Sequence, residues 1–227
     1  MSRHTSSGSR RGASVRVKTA RGRKPSSTRW LQRQLNDPYV KAAQAAGYRS
    51  RAAFKMIELD ERFNLFKGAR RVLDLGAAPG GWSQVAVQRL RAGAVVVAVD
   101  VTELEPLPGV TALQLDALDM ESLPAMQAAL GGQADIVLSD MAAPSTGHSG
   151  TDHIRVMALC AAALDIAEVI LAEDGAFVAK VLKGGTERQL LERLKRGFAK
   201  VRHAKPPASR ADSAEVYVVA HGFRGAG

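Results

Sequence analysis

The sequence predicts an α/β fold on a mostly parallel, seven-stranded sheet with an antiparallel hairpin at one edge. Three observations predict it. Short β-branched runs alternate with longer helical stretches, and the runs are apolar nearly throughout, as strands covered on both faces must be. Four runs in succession end in a glycine or an acid, namely Gly76, Asp100, Asp116 and Asp140, at the carboxyl edge where open α/β sheets bind ligands.

The elements follow in order. Up to about Ser27 the chain is Ser, Gly, Arg and Lys with almost no large apolar residue. Such a segment cannot bury enough surface to offset its ordering entropy, so residues 1–27 are expected to be a disordered basic tail before a single domain at 28–227. Trp30, Leu31, Leu35 and Tyr39 lead to Ala52, Met56, Leu59 and Phe63, whose steps of four and three predict a helix at about 50–64. Strands are expected at Arg71–Gly76, Ala94–Asp100, Val110–Asp116, Ala134–Asp140 and Ala176–Leu182. Helices between most of them are expected at about 80–91, 120–130, 151–172 and 186–197. Two last strands, at about 199–205 and 215–221, are separated only by a Pro/Ser/Arg loop, which permits the hairpin.

Charge narrows the function. The net charge is +10, and residues 1–36 hold ten basic groups and no acidic one, so residues 37–227 are neutral with 22 of each sign. Residues 72–179 carry 14 acids against Arg89, Arg91 and Arg155. The stretches 38–71 and 180–227 are basic, with eight against three and eleven against four. If those flanks meet in space they form an anion-binding face, and the balance points to a polyanionic partner. The single cysteine, Cys160, excludes an internal disulfide and a Cys-cluster metal site. His148 and His153, the only close histidine pair, lack metal-ligand spacing, so no metal is expected. No run approaches the ~18 apolar residues of a membrane span, and the N-terminus lacks the apolar stretch of a secretory signal. A cytoplasmic monomer that does not engage a membrane is expected.

The first strand-to-helix turn, Gly76-Ala-Ala-Pro-Gly-Gly-Trp82, lets backbone approach a ligand closely. Its spacing is near that of a P-loop, but Trp82-Ser83 replaces the required Lys-Ser/Thr, so the cation for β/γ-phosphates is missing. Ala78 occupies the second glycine position of a dinucleotide fingerprint, which a pyrophosphate needs clear. A ligand with a nucleoside and no phosphates remains, and S-adenosylmethionine is one. Asp100 is placed to accept its ribose hydroxyls, and Asp116 suits the adenine amino group.

The run Asp74-Leu-Gly-Ala-Ala-Pro-Gly-Gly-Trp-Ser-Gln84, with Arg49-Ser-Arg-Ala-Ala-Phe-Lys55 upstream, Ser139-Asp-Met-Ala142 downstream and Ser209-Arg-Ala-Asp-Ser-Ala-Glu-Val-Tyr217 near the end, closely resembles the FtsJ-type (RlmE) ribosomal RNA ribose 2′-O-methyltransferases. The resemblance spans about Ser27 to His221. It implies a Rossmann-like methyltransferase fold, methyl transfer from S-adenosylmethionine to a ribose 2′-hydroxyl, and a Lys-Asp-Lys-Glu tetrad. On matching positions the tetrad is Lys55, Asp140, Lys180 and Glu215, and the cofactor contacts are Gly80, Trp82, Asp100, Asp116 and Asp140. The chain departs from the commonest bacterial form in its longer basic N-terminus and in Ala143 before Pro144.

These residue types also make chemical sense on their own. A ribose hydroxyl is a poor nucleophile and must lose its proton as the new C–O bond forms. Histidine is absent from every motif, whereas Lys180 interrupts an otherwise apolar strand, where a lysine is costly unless paired. A base must be unprotonated at attack; desolvation, Lys55 and a sulfonium favour that state, and Asp140 and Glu215 oppose it. Lys180 is therefore either the base or the group that orients the hydroxyl and stabilises the alkoxide. The expected substrate is a uridine of 23S ribosomal RNA in the large ribosomal subunit. The alternatives are a tRNA ribose methyltransferase and a non-catalytic ribosome-assembly factor.

Overall fold

The computed structural model describes residues 25–184 and 188–225, for 25–27, 29 and 30 the backbone alone. The basic tail expected over 1–27 lies outside the described residues up to Lys24. Its last three residues already open helix α1 (Pro25–Asn36). Then follow α2 (Pro38–Ala45), α3 (Ala52–Phe63), β1 (Arg71–Leu75), α4 (Gly81–Arg89), β2 (Val95–Asp100) and β3 (Val110–Gln114). A 3₁₀ turn (Met120–Ser122) leads into α5 (Leu123–Leu130), β4 (Ala134–Ser139), α6 (Ser149–Ile170), β5 (Leu171–Leu182), α7 (Arg188–Gly197), β6 (Phe198–Ala204) and β7 (Glu215–Phe223).

All seven strands form one sheet in the order β3-β2-β1-β4-β5-β7-β6. β1 to β5 pair in parallel, and β7 runs antiparallel between β5 and β6. The hairpin is thus present, but its second strand is inserted and its first is the edge.

Side chains alternate across the pleat, so each strand feeds two cores. Leu73, Val97, Val137, Phe177 and Val218 pack under α5, α6 and α7. Val72, Val96, Ile136, Val178 and Val219 pack under α3 and α4, against Met56, Leu59, Trp82 and Val85. Each fully covered aliphatic side chain of this kind contributes roughly 1.5–3 kcal/mol. This alternation matters for chemistry. Lys180 shares the face of Ala176 and Val178, so it points to the side where α3 brings Lys55.

The structure differs from the expectation at two places. α1 and α2 were not expected as helices; α2 opens on Asp37, whose carboxylate accepts from Tyr39 N, with Pro38 in the first turn, a strong start signal. The helix expected at 151–172 ends at Ile170, and β5 begins at Leu171 rather than Ala176. Asp174, in the left-handed region at φ 64°, and Gly175, where a Cβ would lie 2.8 Å from Ala172 O, let the chain bend within that strand.

Among the described residues no helix is long and apolar enough to cross a membrane, and no cluster of His, Cys, Asp and Glu could hold a metal. Cys160 lies buried in α6, where burial pushes its thiol up to about 12.

Candidate active site

The carboxyl ends of β1, β2 and β4 open on a cavity of about 560 Å³. Gly76, Ala78, Asp100, Asp116, Asp140 and Met141 are among the residues that line it. Gly76 must be glycine: its φ is 70°, and a Cβ there would lie 2.7 Å from Met141 Cγ. Asp100 accepts from Ala78 N (2.9 Å) and Thr102 N (2.8 Å), which fixes the carboxylate at the rim and leaves each oxygen a further lone pair. Asp116 accepts from Leu118 N (2.9 Å). Arg155 is the one cation among the lining residues, and it is tied to Pro144 O. Asp100 and Asp116 against one arginine suit a ligand rich in hydroxyl and amino donors.

Two of the expected cofactor residues stand apart from this cavity. Gly80, at φ 109°, is packed against Arg49 and Leu104. Trp82 is buried between α3 and α4, its Nε1 donating to Ala52 O (2.9 Å) and its ring 5.5 Å from that of Tyr217. Its side chain fixes α3, which carries Lys55, and does not line the cavity. Gly81 allows the same approach, since a Cβ there would collide with Ser50.

The tetrad does assemble. Lys180 Nζ donates to Asp140 O (2.8 Å) and lies 2.8 Å from Asp140 Oδ1 and 3.9 Å from Glu215 Oε2. Lys55 Nζ lies 2.7 Å from Glu215 Oε1 and 3.9 Å from Asp140 Oδ2. Sheet register explains the meeting: Ser139 pairs with Ala179, which sets Asp140 beside Lys180, while Leu182 pairs with Glu215 and Lys180 with Tyr217.

Sequence reasoning did not assign Tyr217 a role, yet it sits at the centre. Its hydroxyl accepts from Lys55 Nζ (3.0 Å) and donates to Asp140 Oδ1 (2.7 Å). Burial, and then the charges of Asp140 and Glu215, push its ionisation well above the usual phenol value, so it stays a donor. The available signal was its position two residues beyond Glu215, on the same face of the strand. Burial alone would raise Asp140, but the Lys180 and Lys55 charges, with hydrogen bonds from Lys180 and Tyr217, outweigh it and hold the carboxyl below its ordinary value.

Asp140 also lines the large cavity, whereas Lys55 and Glu215 face a second groove of about 360 Å³, lined in addition by Arg33, Gln34, Arg51, Arg210, Asp212 and Ser213. The tetrad is the wall between an acidic cavity and an arginine-rich groove.

A profile described as FtsJ-like methyltransferase matches residues 48–223. A protein of Paramagnetospirillum magneticum named ribosomal RNA large subunit methyltransferase E is 59% identical over 223 residues, which cover 96% of this chain and 91% of the relative. A protein of the same name from Ruegeria pomeroyi is 55% identical over 233 residues, covering 99% and 100%. Among solved structures, a Plasmodium falciparum chain described as a ribosomal RNA methyltransferase superposes with a TM-score of 0.70 at 28% identity, over 79% of this chain and all of that one. The motif turn, the strand-end carboxylates and the whole tetrad fall within the matched span, and the chain belongs to the FtsJ-like methyltransferase family.

Proposed function

We propose that the protein methylates a ribose 2′-hydroxyl of a uridine in the 23S ribosomal RNA of the large ribosomal subunit, in the cytoplasm, with S-adenosylmethionine as donor. The observation that carries this reading is the wall: one set of polar groups touches both the acidic cavity and the basic groove, so donor and acceptor can approach it from opposite sides. The names of the relatives favour ribosomal RNA over tRNA.

The residues of the cavity fit the cofactor. Asp100 and Asp116 retain acceptor capacity for ribose and adenine, and no cluster of cations is present to hold phosphates. When bound, S-adenosylmethionine supplies a methyl group on a sulfonium. The protein does the rest. Lys180, an ammonium fixed on two oxygens of Asp140 in the resting protein, is the group that acts on the 2′-hydroxyl: it first gives up its own proton to solvent and then, as the free amine, takes the hydroxyl proton as the C–O bond forms. Lys55, fixed on Glu215 and Tyr217, faces the groove and orients the ribose. Asp140 and Glu215 balance the two ammonium groups, so the desolvated cluster is held together without net charge.

Single-turnover methylation of undermethylated large ribosomal subunits, followed by mass-spectrometric mapping of the modified nucleotide, tests the reading. Lys180→Ala should cut the rate by at least ~10²-fold with cofactor affinity unchanged, as expected for loss of a general base. Lys180→Arg should not restore it, because a guanidinium keeps its proton. Rescue by arginine would replace the base with an electrostatic role, and label on a base or on tRNA would sink the assignment.

A further inference from the structure

The groove beside Lys55 contains a second construction that the tetrad does not use. Asp37, the buried cap of α2, receives two arginines on one oxygen: Arg51 Nε at 3.1 Å and Arg210 Nε at 3.3 Å from Oδ2. Arg51 comes from the start of α3 and Arg210 from the loop before β7, more than 150 residues apart in sequence. Both turn Nε, the inner edge of the guanidinium, to Asp37: Arg210 Nε donates a hydrogen bond, whereas Arg51 Nε makes an ion-pair contact without hydrogen-bond geometry. Arg51 is pinned further, its Nη2 on Ala208 O and its guanidinium over the Tyr39 ring at 5.7 Å. The loop is fastened to the same place, with Ala208 N donating to Glu58 Oε2 (2.7 Å). Arg210 reaches the groove with its side chain 27% exposed, and Arg33 of α1, also exposed, lines the same groove.

Electrostatics indicates the ligand. Lys55 and Glu215 neutralise each other, which leaves three guanidiniums in and around the groove against Asp212 and the shared Asp37. Two cations meeting on one carboxylate oxygen repel each other, and a second anion on their outer edges relieves this. A guanidinium fork matches the oxygens of a phosphodiester. Arg51 lies four residues before Lys55 on the same helical face, a rise of about 6 Å. A 2′-hydroxyl is only a few bonds from the phosphate on the neighbouring 3′-oxygen.

We propose that Arg33, Arg51 and Arg210 form a subsite for the RNA phosphodiester adjoining the ribose to be methylated, and that Asp37 is its positioning residue. The inference rests on the ribose reading above and adds how the strand is held in register. It separates geometry from bulk charge, because Asp37→Asn raises the net charge of the groove by one while releasing both arginines. Asparagine also caps helices well, so α2 is retained.

Two readouts test it on the full-length protein: KM and kcat with undermethylated large ribosomal subunits, and fluorescence anisotropy with a labelled single-stranded RNA across a salt series. Arg210→Ala should raise KM for the subunit about tenfold, with the effect confined to KM, and should lower the salt slope of RNA binding by about 0.7. Asp37→Asn should also weaken RNA binding and raise KM. Arg210→Lys should fail to rescue, since it keeps the charge and loses the Nε contact. Tighter binding by Asp37→Asn, or full rescue by lysine, would overturn the proposal in favour of an unstructured basic patch. If Asp37→Asn lowers the melting temperature, the alanine and lysine variants of Arg210 decide the matter alone. Methylation at an atom other than the 2′-oxygen, with the RNA-binding pattern intact, would refute the ribose reading and leave the phosphate subsite standing.

Discussion

Asp74, the penultimate residue of β1 just before the glycine motif, is fully buried. One carboxyl oxygen accepts from Ser83 Oγ (2.6 Å), and the other has no hydrogen-bond partner among the described residues. Burial pushes the carboxyl up to about 7, against the Ser83 hydrogen bond and with the help of the Asp140 and Asp100 charges. Because the folded protein holds this proton more tightly than the unfolded chain, stability falls as the pH rises from about 4 to about 7, by at most about 4 kcal/mol. Asp74→Asn cannot ionise and should remove that slope, so its stability relative to the parent should grow with pH across the window. Urea unfolding at pH 5 and pH 8 checks it, and parallel behaviour of the two proteins would count against a protonated Asp74. The four tetrad residues were readable from motif resemblance, and Asp100 and Asp116 from their strand ends. Asp74 was read only as part of a motif, because its state depends on burial depth, which spacing does not report. Tyr217 escaped for a related reason: its place opposite Lys180 is a matter of register between strands 37 residues apart, counted from the sequence.

The two helical layers divide the labour of the molecule. α3 carries Lys55 and packs with α4 on one face, while α5 and α6 close the other face far from the basic groove. Leu59 of α3 and Leu130 of α5 are each 1% exposed, so truncation of either to alanine should cost about 2–5 kcal/mol. Only Leu59→Ala should also lower kcat in conditions where both variants are folded, since only α3 positions a tetrad lysine. Chemical unfolding paired with steady-state rates distinguishes these outcomes, and equal loss of kcat in both would mean that the layers are not independent. At this scale most of the sheet was legible, because its central strands β1, β2 and β4 are apolar nearly throughout and end in turn-formers. α1 and α2 were not: α1 is polar at most positions, and α2 is only eight residues long, with its signal confined to the Asp37-Pro38 start. β5 was read five residues short, since Glu173, Asp174 and Gly175 look like a turn and do bend the strand.

Over the whole molecule, the positive charge is concentrated at the beginning of the sequence and around the groove. Residues 1–24 carry eight arginines and lysines and no acid. If several of these meet RNA phosphates, each released counterion adds about 0.7–0.9 to the slope of log affinity against log salt. Deleting residues 1–24, which leaves α1 whole, should flatten that slope while calorimetry shows unchanged cofactor binding. An unchanged slope would place the RNA contacts entirely on the domain. The inserted position of β7 has a different consequence, one of timing. Every residue lining the acidic cavity lies between 76 and 159, but the wall that divides it from the groove waits for Glu215 and Tyr217 on the last strand described. Because β7 must slot between β5 and β6, a nascent chain emerging from the ribosome holds β6 with no strand to pair with until residues 215–223 follow it. A nascent chain that has reached only residue 204 therefore carries every residue that lines the acidic cavity, while the groups that complete its wall join together, and only when β7 is inserted.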